Sequence, residues 1–536
     1  MSRGVYPLGA LTASARKKFH RSQGDHVPTE GVNPSAPECR RVAASSSRRL
    51  VEIALAIALT IAAVPATAQD RDERPIVSKE DPRPIVRVNL QPAAVPNPPL
   101  KYPLLPPYLE QTEGNAAPLY YRAMLLWEMT RRNEPHRLPE AEASLWLDVP
   151  LNDFPMEKAR ATLRRAEYIL TELHGGARRE RCDWDLPLRG NRDVIRVHSA
   201  DVQVSRSLAR LLALQARVAL RDGDHQAAIR AIQTGYAFAR HLSEAPWMMS
   251  AIVGTADAWI ISQAVEDMRE LPGSPNLYWS LTALPRPFID MRKAFEAEFV
   301  QAHQMFPAFR EARTASHTDA EWQRLFEAEV RRYGGMFRRD RGGDDTARAP
   351  LQDKATLALL AIQHYPTAKE RLIERGWAPE EVERMPAARV LMIDIADTYD
   401  ELTQNIVKWL HVPYWQAAGH PERSNDLKRA ALSYGNAFSL SELIPAFDAF
   451  RVAGLRLDRQ IAEMRLIEAL RHYAATHDGR LPATLDDIED LPIPTDPFTG
   501  EPFEYRLDGE TAVIDVRPPV QRHAQDGKRY EVTIAK

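Results

Sequence analysis

The segment SLARLLALQARVALRDGDHQAAIRAIQTGYAFARHL, residues 207–242, determines the fold class. Apolar residues recur at three- and four-residue steps before the Asp-Gly-Asp turn, and the same spacing returns after it. This period is typical of amphipathic α-helices with one buried face. The segment therefore predicts an antiparallel helical hairpin. The residues on the two predicted inner faces are Val204, Leu208, Leu211, Leu212 and Val218, followed by Ile229, Ile232, Tyr236 and Ala239.

Similar periodicity recurs along most of the chain after residue 118, with Gly- and Pro-containing turns between the periodic segments. The pattern predicts a mainly α protein, built as an irregular helical bundle or an α-solenoid with a small C-terminal β-hairpin. Residues 207–242 resemble one tetratricopeptide hairpin, whose signature is a turn glycine with alanines on the second helix. No second copy follows in the 34-residue register of that repeat, so a regular array is not predicted.

The chain closes with LPATLDDIEDLPIPTDPFTGEPFEYRLDGETAVI, residues 481–514. Gly479 suits the left-handed position after a long helix, and Pro482 prevents its continuation. Thr484 and Asp487 have the spacing of a capping box, so the acidic run predicts a short helical turn rather than a metal cluster. The predicted structural turn residues of this closing region are Gly479, Asp496, Gly500, Asp508 and Gly509.

Apolar and polar residues alternate on both sides of the Asp-Gly pair at 508–509, as they do in a β-hairpin. If this pair forms a two-residue loop, Tyr505 faces Ala512 and Phe503 faces Ile514. These four side chains then form one apolar face. An isolated hairpin is marginally stable in water, so we expect this face to pack against helices.

The first 68 residues have the pattern of a leader with a secretory signal peptide. Two arginines precede an apolar run that ends in a small-residue cleavage motif, and we expect cleavage between Ala68 and Gln69. The run is short for a membrane span, which needs about 20 residues, so an uncleaved anchor at 50–64 is the alternative. The hypothesis for residues 1–41 is an extension from an incorrect start, with Val42 as the true start.

Composition divides the remaining chain. Dense proline predicts an extended linker, and a Gly- and Asp-rich stretch predicts a mobile loop between helical regions. The predicted order is a linker at 69–110, a helical domain with the hairpin at 111–337, the mobile loop at 338–350, a helical region ending in a long helix at 351–480, and a turn and β-hairpin cap at 481–536 with a third strand at 530–535.

Charge and cysteine content limit the function classes. The net charge is −3, with 44% hydrophobic and 27% charged residues, which is typical of a globular protein. No basic excess marks a nucleic-acid surface, so nucleic-acid partners are not expected. One of the two cysteines lies in the leader, so an exported chain keeps a single thiol and forms no internal disulfide.

Two groups of residues are candidates for chemistry or binding. Asp394, Asp397 and Glu401 share one helical stripe, where a divalent ion would need His or Glu from a second helix. A solvated helix face is the expected interpretation of that stripe. Tyr278 and Trp279 are the candidate binding residues, because an exposed aromatic pair stacks on sugars or peptides; the alternative is that they fill the core. No catalytic, cofactor or metal residues are predicted.

Residues 477–507 run from a helix end through Asp-Gly-Arg-Leu-Pro to Asp-Pro-Phe-Thr-Gly. This order is similar to the C-terminal turn region of type II secretion pseudopilins, which implies a long helix leading into a small β-region. The pseudopilin N-terminal processing signal is absent, and its calcium site is not carried over, although Asp496 lies in the matching turn. Residues 274–290 and 470–509 also resemble a family of secreted helical proteins from planctomycete-type bacteria, which implies export and supplies no activity.

The helical pattern, together with the lack of a known catalytic motif, predicts an exported, non-catalytic binding or scaffold protein of the cell envelope. The expected location is the periplasm or the extracellular space. The expected partner is another envelope protein or a peptide, with membrane contact only if the signal segment stays uncleaved. The alternative is an envelope hydrolase with a carboxylate-based site assembled from distant helices.

Overall fold

The protein is mainly α-helical in a computed structural model, which confirms the predicted fold class. The structure describes residues 83–132, 139–186, 199–337, 349–423, 433–434, 438–439, 447–518 and 526–536. The leader, which ends at Ala68, and the first linker residue, Gln69, lie outside these residues. Most of the predicted mobile loop at 338–350 also lies outside them. Its last two residues, Ala349 and Pro350, begin a helix.

The described part of the chain contains the following α-helices. They are α1 (Ala117–Arg132), α2 (Glu140–Asp148), α3 (Met156–Arg165), α4 (Glu167–Ala177), α5 (Ser199–Arg221), α6 (His225–Ser243), α7 (Met248–Met268), α8 (Tyr278–Thr282), α9 (Arg292–Met305), α10 (Pro307–Glu311), α11 (Asp319–Phe337), α12 (Ala349–Glu374), α13 (Pro379–Arg384), α14 (Ala387–Val407), α15 (Tyr414–Ala418) and α16 (Phe447–Thr476). Short 3-10 helices span Tyr108–Glu110, Leu151–Asp153, Lys408–His411 and Leu485–Asp487.

The strands are short and lie mostly near the two ends of the described chain. They are β1 (Ile85–Leu90), β2 (Thr112–Asn115), β3 (Arg179–Arg181), β4 (Ser433–Tyr434), β5 (Phe438–Ser439), β6 (Glu504–Asp508), β7 (Thr511–Val516) and β8 (Lys528–Ile534). β2 pairs with β3 in parallel, and β4 pairs with β5 antiparallel. The other four strands form one sheet.

Helices α5, α6 and α7 pack against one another at the centre of the main core. The predicted hairpin corresponds to α5 and α6. Gly223 turns the chain with φ +74°, and the Asp224 carboxylate caps α6 by accepting a hydrogen bond from the Ala227 amide at 2.8 Å.

Glycines allow α6 and α7 to approach closely. Gly235 faces the Ile261 side chain, and Gly254 faces the backbone carbonyl of Ala239. A Cβ atom at Gly254 would lie only 2.5 Å from that carbonyl oxygen. The α6–α7 contact therefore depends on the missing side chain at this position.

Helix α7 is long and apolar enough to cross a membrane by length and composition, the one such helix in the described part of the chain. Its most apolar window is 72% buried inside the fold. Because α5 and α6 pack against it, the burial is typical of a core helix.

A buried arginine joins α2 to this core. Arg217 of α5 is 1% exposed and donates to the carbonyls of Trp146 (2.7 Å), Leu147 (2.9 Å) and Val149 (2.6 Å). It also forms an ion pair at 2.8 Å with Asp267 of α7. The guanidinium thus satisfies carbonyls at the C-terminal end of α2, which have no partner within their own helix.

The main sheet has the strand order β1-β8-β7-β6. β1 runs parallel to β8, with Ile85 opposite Arg529, whereas the other two pairs are antiparallel. The prediction that residues 69–110 are a linker is therefore wrong for β1. The side chains of Val88 and Leu90 in this strand are buried on the apolar face of the sheet. Prolines flanking these six residues hid their alternating pattern.

The rest of that proline-rich segment also lies against the helical body. Leu104 is buried in the main core. Gln233 of α6 donates through Nε2 to the carbonyls of Pro103 (3.1 Å) and Leu105 (3.2 Å). The segment is therefore held in place by the helices and does not act as a spacer in this region.

The predicted hairpin is present as β6 and β7, but the predicted register is wrong. Tyr505 lies opposite Ile514, and the loop consists of Gly509 and Glu510. Gly509 has φ +65° and takes the first central position, as type II′ loops require, whereas the prediction placed it second. The observed partner of each β6 residue lies two positions further along β7 than predicted. Because side chains alternate between the two faces of a strand, a shift of two keeps the same side chains on the apolar face.

The apolar face of the sheet packs on α16, and β8 supplies the predicted third strand. The cap is therefore a four-stranded sheet that contains the predicted hairpin. Its contacts with α16 and Tyr278 form an apolar cluster separate from the main core. Buried members of this cluster include Leu90, Tyr278, Leu466, Leu470, Phe503, Ile514, Val516, Tyr530 and Val532.

Candidate functional site

The predicted binding residues do not form an exposed surface. Tyr278 is 0% exposed and its hydroxyl donates to the Pro492 carbonyl, while Trp279 is partly buried beside it. The Arg465 guanidinium lies 5.5 Å from the centre of the Tyr278 ring. The prediction of an exposed stacking pair is wrong, because these aromatics fill the space between α16 and the sheet.

The predicted turn residues hold the closing segment in place. The Asp496 carboxylate is buried, accepts from the Phe498 amide at 2.9 Å and pairs with Arg459, whose Nε lies 3.0 Å from both oxygens. A guanidinium therefore neutralises the carboxylate that lies in the pseudopilin-like turn. Asp508 ends β6 beside the loop. The turn glycines with left-handed φ are Gly479, Gly500 and Gly509.

Arginines bind the carboxylate stripe of α14. Asp394 is fully buried and pairs with Arg371 of α12 and with Arg375, which directly follows that helix, at 2.9 Å for Arg375 Nη1. Arg375 also reaches Glu401 at 3.2 Å. The expected solvated face is wrong for Asp394, because a buried carboxylate needs a cationic partner. The stripe joins α12 to α14 through these ion pairs.

A group of residue types common in acid–base catalysis lies where α9 meets α14, and we call it the His303 cluster (His303, Arg313, Asp397 and Asp400). His303 Nε2 lies 2.5 Å from Asp400 Oδ1. Arg313 donates to Asp400 Oδ2 at 2.6 Å and to Asp397 Oδ1 at 2.7 Å. The four side chains are 20–29% exposed, so solvent reaches the cluster. A histidine oriented by a carboxylate is the arrangement of a general base.

Two buried polar atoms near the His303 cluster, Glu298 Oε2 and Tyr399 Oη, have no hydrogen-bond partner in the described part of the chain. The Tyr399 ring centre lies 5.4 Å from that of His303. Burial raises the pKa of Glu298, opposed by the Met248 backbone amide. Burial, Glu298 and Asp400 raise the pKa of Tyr399. The shifts favour the neutral forms, which can both donate and accept a hydrogen bond.

Sequence reasoning missed the His303 cluster, because His303 and Asp400 are 97 residues apart. The available signal was Asp400 itself, which follows Asp397 by one helical turn and extends the stripe. Burial opposes ionisation of Asp400, but hydrogen bonds to His303 and Arg313 outweigh it and hold the pKa of Asp400 below its usual range. The carboxylate therefore stays charged and orients the imidazole.

Asp257 of α7 provides a pH-dependent prediction. It is 0% exposed, and burial raises its pKa to about 7 against the opposing effects of Arg206 and Ser205. Between about pH 4 and pH 7 the folded state keeps a proton that the unfolded state has released. The stabilising contribution of this proton is full below about pH 4 and is lost as the pH rises through about 7.

We therefore compare the free energy of unfolding of Asp257→Asn with that of the wild type at about pH 4 and at about pH 8. We expect the difference in favour of the variant to be larger at about pH 8, by at most about 4 kcal/mol. Urea unfolding at both pH values measures this difference. Asp478→Asn is the control, because the Asp478 side chain is 93% exposed. A pH-independent difference for Asp257→Asn would contradict the assignment.

Other candidate sites among the described residues offer less chemistry. No group of three or more His, Cys, Asp or Glu in this part of the chain is arranged to hold a metal ion. Cys182 is buried, and burial raises the pKa of its thiol, so the reactive thiolate is disfavoured. A cavity with room for about one water molecule lies among α1, α2, α3 and α5. Its lining includes Trp127, Thr162, Ser207 and Arg210.

The resemblances to a tetratricopeptide hairpin, to pseudopilins and to a secreted bacterial family stay predictions. Comparison with known proteins gives no match, whether to a family model, to a curated protein or to a solved structure.

Proposed function

We propose that the protein is an exported, non-catalytic binding or scaffold protein of the cell envelope. The signal-like leader supports export. The observation that carries the binding proposal is an apolar surface on α1 and α4, two helices that pack against each other. We call it the outer apolar face and define it by Leu125, Met129 and Tyr168, which are 61%, 60% and 78% exposed.

The packing of α1 against α4 supports a shared outer face. Arg122 of α1 pairs with Glu172 of α4 at 2.8 Å, and the two side chains are 60% and 23% exposed. Leu125 follows Arg122 by three residues, and Tyr168 precedes Glu172 by four, so each lies one turn further along the same side of its helix. A clustered apolar surface of this kind is typical of a docking site for another protein.

Affinity capture from the native envelope tests the binding proposal. The bait is the exported protein, compared with the double variant Leu125→Glu/Tyr168→Glu. We expect a partner to be retained by the wild type and lost from the double variant. Ile362→Glu is the matched control, because Ile362 is 75% exposed on α12, and it should retain the partner. Equal retention by all three proteins would contradict a role for the outer apolar face.

The same preparation tests export. N-terminal sequencing of the envelope-associated protein should begin at Gln69. A chain that still carries residues 50–64 and remains in the membrane fraction would instead support the uncleaved anchor. Recovery only from the cytosol would overturn the export proposal.

A second candidate function, an envelope hydrolase, is favoured by the His303 cluster. In this alternative His303 accepts a proton from an attacking water while Asp400 holds the imidazole, and the leaving group later receives that proton. Turnover of ester, peptide or glycoside substrates should then be lost in His303→Asn and kept in His317→Asn, whose imidazole pairs with Glu311 at the surface. Wild-type protein without turnover would exclude this alternative for the substrates tested.

A further inference from the structure

Two buried arginines meet around one aromatic ring beside α15. Arg423 is 7% exposed and Arg451 is 8% exposed. Their guanidinium carbons lie 5.6 Å and 5.2 Å from the centre of the Tyr414 ring. Arg423 pairs with Asp448 on the first turn of α16, and Arg451 Nη2 donates to the Val412 carbonyl at 2.8 Å. We call this group the arginine pair.

The charges of the arginine pair are not balanced. Two guanidinium cations face one carboxylate, Asp448, among the described residues. Burial and the neighbouring Arg423 lower the pKa of Arg451 to about 10, opposed by Asp448 and Tyr414. A buried cation next to a like charge is unfavourable unless an anion lies nearby.

Each arginine also keeps a donor without an acceptor. Arg423 Nε and Arg451 Nη1 are buried and have no hydrogen-bond partner among the residues that the structure describes. A buried donor without a partner costs roughly 1–3 kcal/mol, and more when the group is charged. Two such donors on adjacent cations are the hydrogen-bonding complement of an oxyanion.

Two other buried arginines of α16 have matched acidic partners. Arg459 pairs with Asp496, and Arg471 pairs with Glu468 at 2.8 Å. The arginine pair differs from these two residues in charge as well as in hydrogen bonding, whereas the buried Arg465 donates to the Thr282 hydroxyl at 2.9 Å. The Asp448 side chain is 33% exposed, so solvent reaches the group on that side.

We propose that the arginine pair is a binding site for an oxyanion, either a carboxylate or a phosphate, held by Arg423 Nε and Arg451 Nη1. A guanidinium donates to both kinds of anion through the same N–H groups. The proposal goes beyond the proposed binding function and does not depend on the outer apolar face.

The test uses the exported protein and follows its thermal unfolding midpoint with sodium acetate or inorganic phosphate, against sodium chloride at equal ionic strength. We expect a saturable rise of about 3 °C at a hundredfold excess over Kd for at least one anion. Arg451→Met and Arg423→Met should lose this rise. Arg456→Met is the control, because Arg456 of the same helix is paired with Asp526. It should lower the starting midpoint and keep the rise.

The acetate and phosphate arms identify which anion the site takes. Circular dichroism shows whether the variants fold; if a methionine variant does not, Arg451→Lys is used instead, and we expect it to weaken binding at least about tenfold, since lysine lacks the forked donors. No saturable rise in the wild type would overturn the proposal. A rise that persists unchanged in the folded variants would mean an adventitious ion only and would overturn it as well.

Discussion

Replacing Arg471 with methionine is expected to lower the free energy of unfolding by about 3–5 kcal/mol. Arg471 of α16 is 1% exposed and binds the Glu468 carboxylate with Nη1–oxygen distances of 2.8 and 2.9 Å. It also donates to the carbonyls of Gln91 (2.9 Å) and Ser274 (3.2 Å). The substitution would leave Glu468 buried without its cation, while two loops would lose a shared donor.

The Arg471 prediction has two controls. Arg480→Met removes an arginine that is 74% exposed and pairs with Asp478, so we expect a change within about 0.5 kcal/mol. The double variant Arg471→Met/Glu468→Gln should recover part of the loss, because no unpaired charge remains. Urea unfolding measures all three proteins. A loss below about 1 kcal/mol for Arg471→Met would contradict the assigned role.

Replacing Gly254 with alanine is expected to destabilise the protein by about 1–3 kcal/mol. The new Cβ atom would lie 2.5 Å from the Ala239 carbonyl oxygen, and a backbone atom can move away only if α6 moves. Alanine favours a helix over glycine by up to about 1 kcal/mol, so the steric clash must exceed that gain. Thermal unfolding of the two proteins measures the difference.

Two other glycines separate the steric effect from helix propensity. A Cβ atom at Gly419 would have no neighbour within 4 Å, so Gly419→Ala should change the free energy of unfolding by less than about 0.5 kcal/mol. A Cβ atom at Gly235 would lie 2.4 Å from Cδ1 and 2.5 Å from Cγ1 of Ile261, so the second change Ile261→Ala, which removes both atoms, should restore part of the loss in Gly235→Ala. If Gly254→Ala behaves like Gly419→Ala, the helices are not held as closely as described.

Elements with local signals could be predicted from the sequence. The spacing of Thr484 and Asp487 predicted the short helical turn at Leu485–Asp487, where the Thr484 amide donates to Asp487 Oδ2 at 2.8 Å. The two faces of α5 and α6 were predictable for the same reason, since a helical period needs only neighbouring residues. The hairpin register failed by two residues, because either residue flanking Gly509 could complete the loop.

Features that depend on distant partners could not be predicted. The Asp394 stripe looked solvated, because nothing local indicates that Arg371 and Arg375 lie opposite it. The sequence left two interpretations open for Tyr278, an exposed stacking surface or the core, because its cover comes from α16 and the sheet, which are distant in the chain. The residues of the His303 cluster and the arginine pair come together only in the folded chain, and the one local signal for them was the continuation of the α14 stripe to Asp400.

The parallel pairing of β1 with β8 delays completion of the sheet until β8 has been synthesised. Ile85 and Arg529 are opposite each other but 444 residues apart, so a ribosome working at 5–20 residues per second needs roughly 20–90 s to make the second strand after the first. During that interval β1 has an edge without its native neighbour. A chain stopped short of its last nine residues would leave this edge permanently open to another molecule.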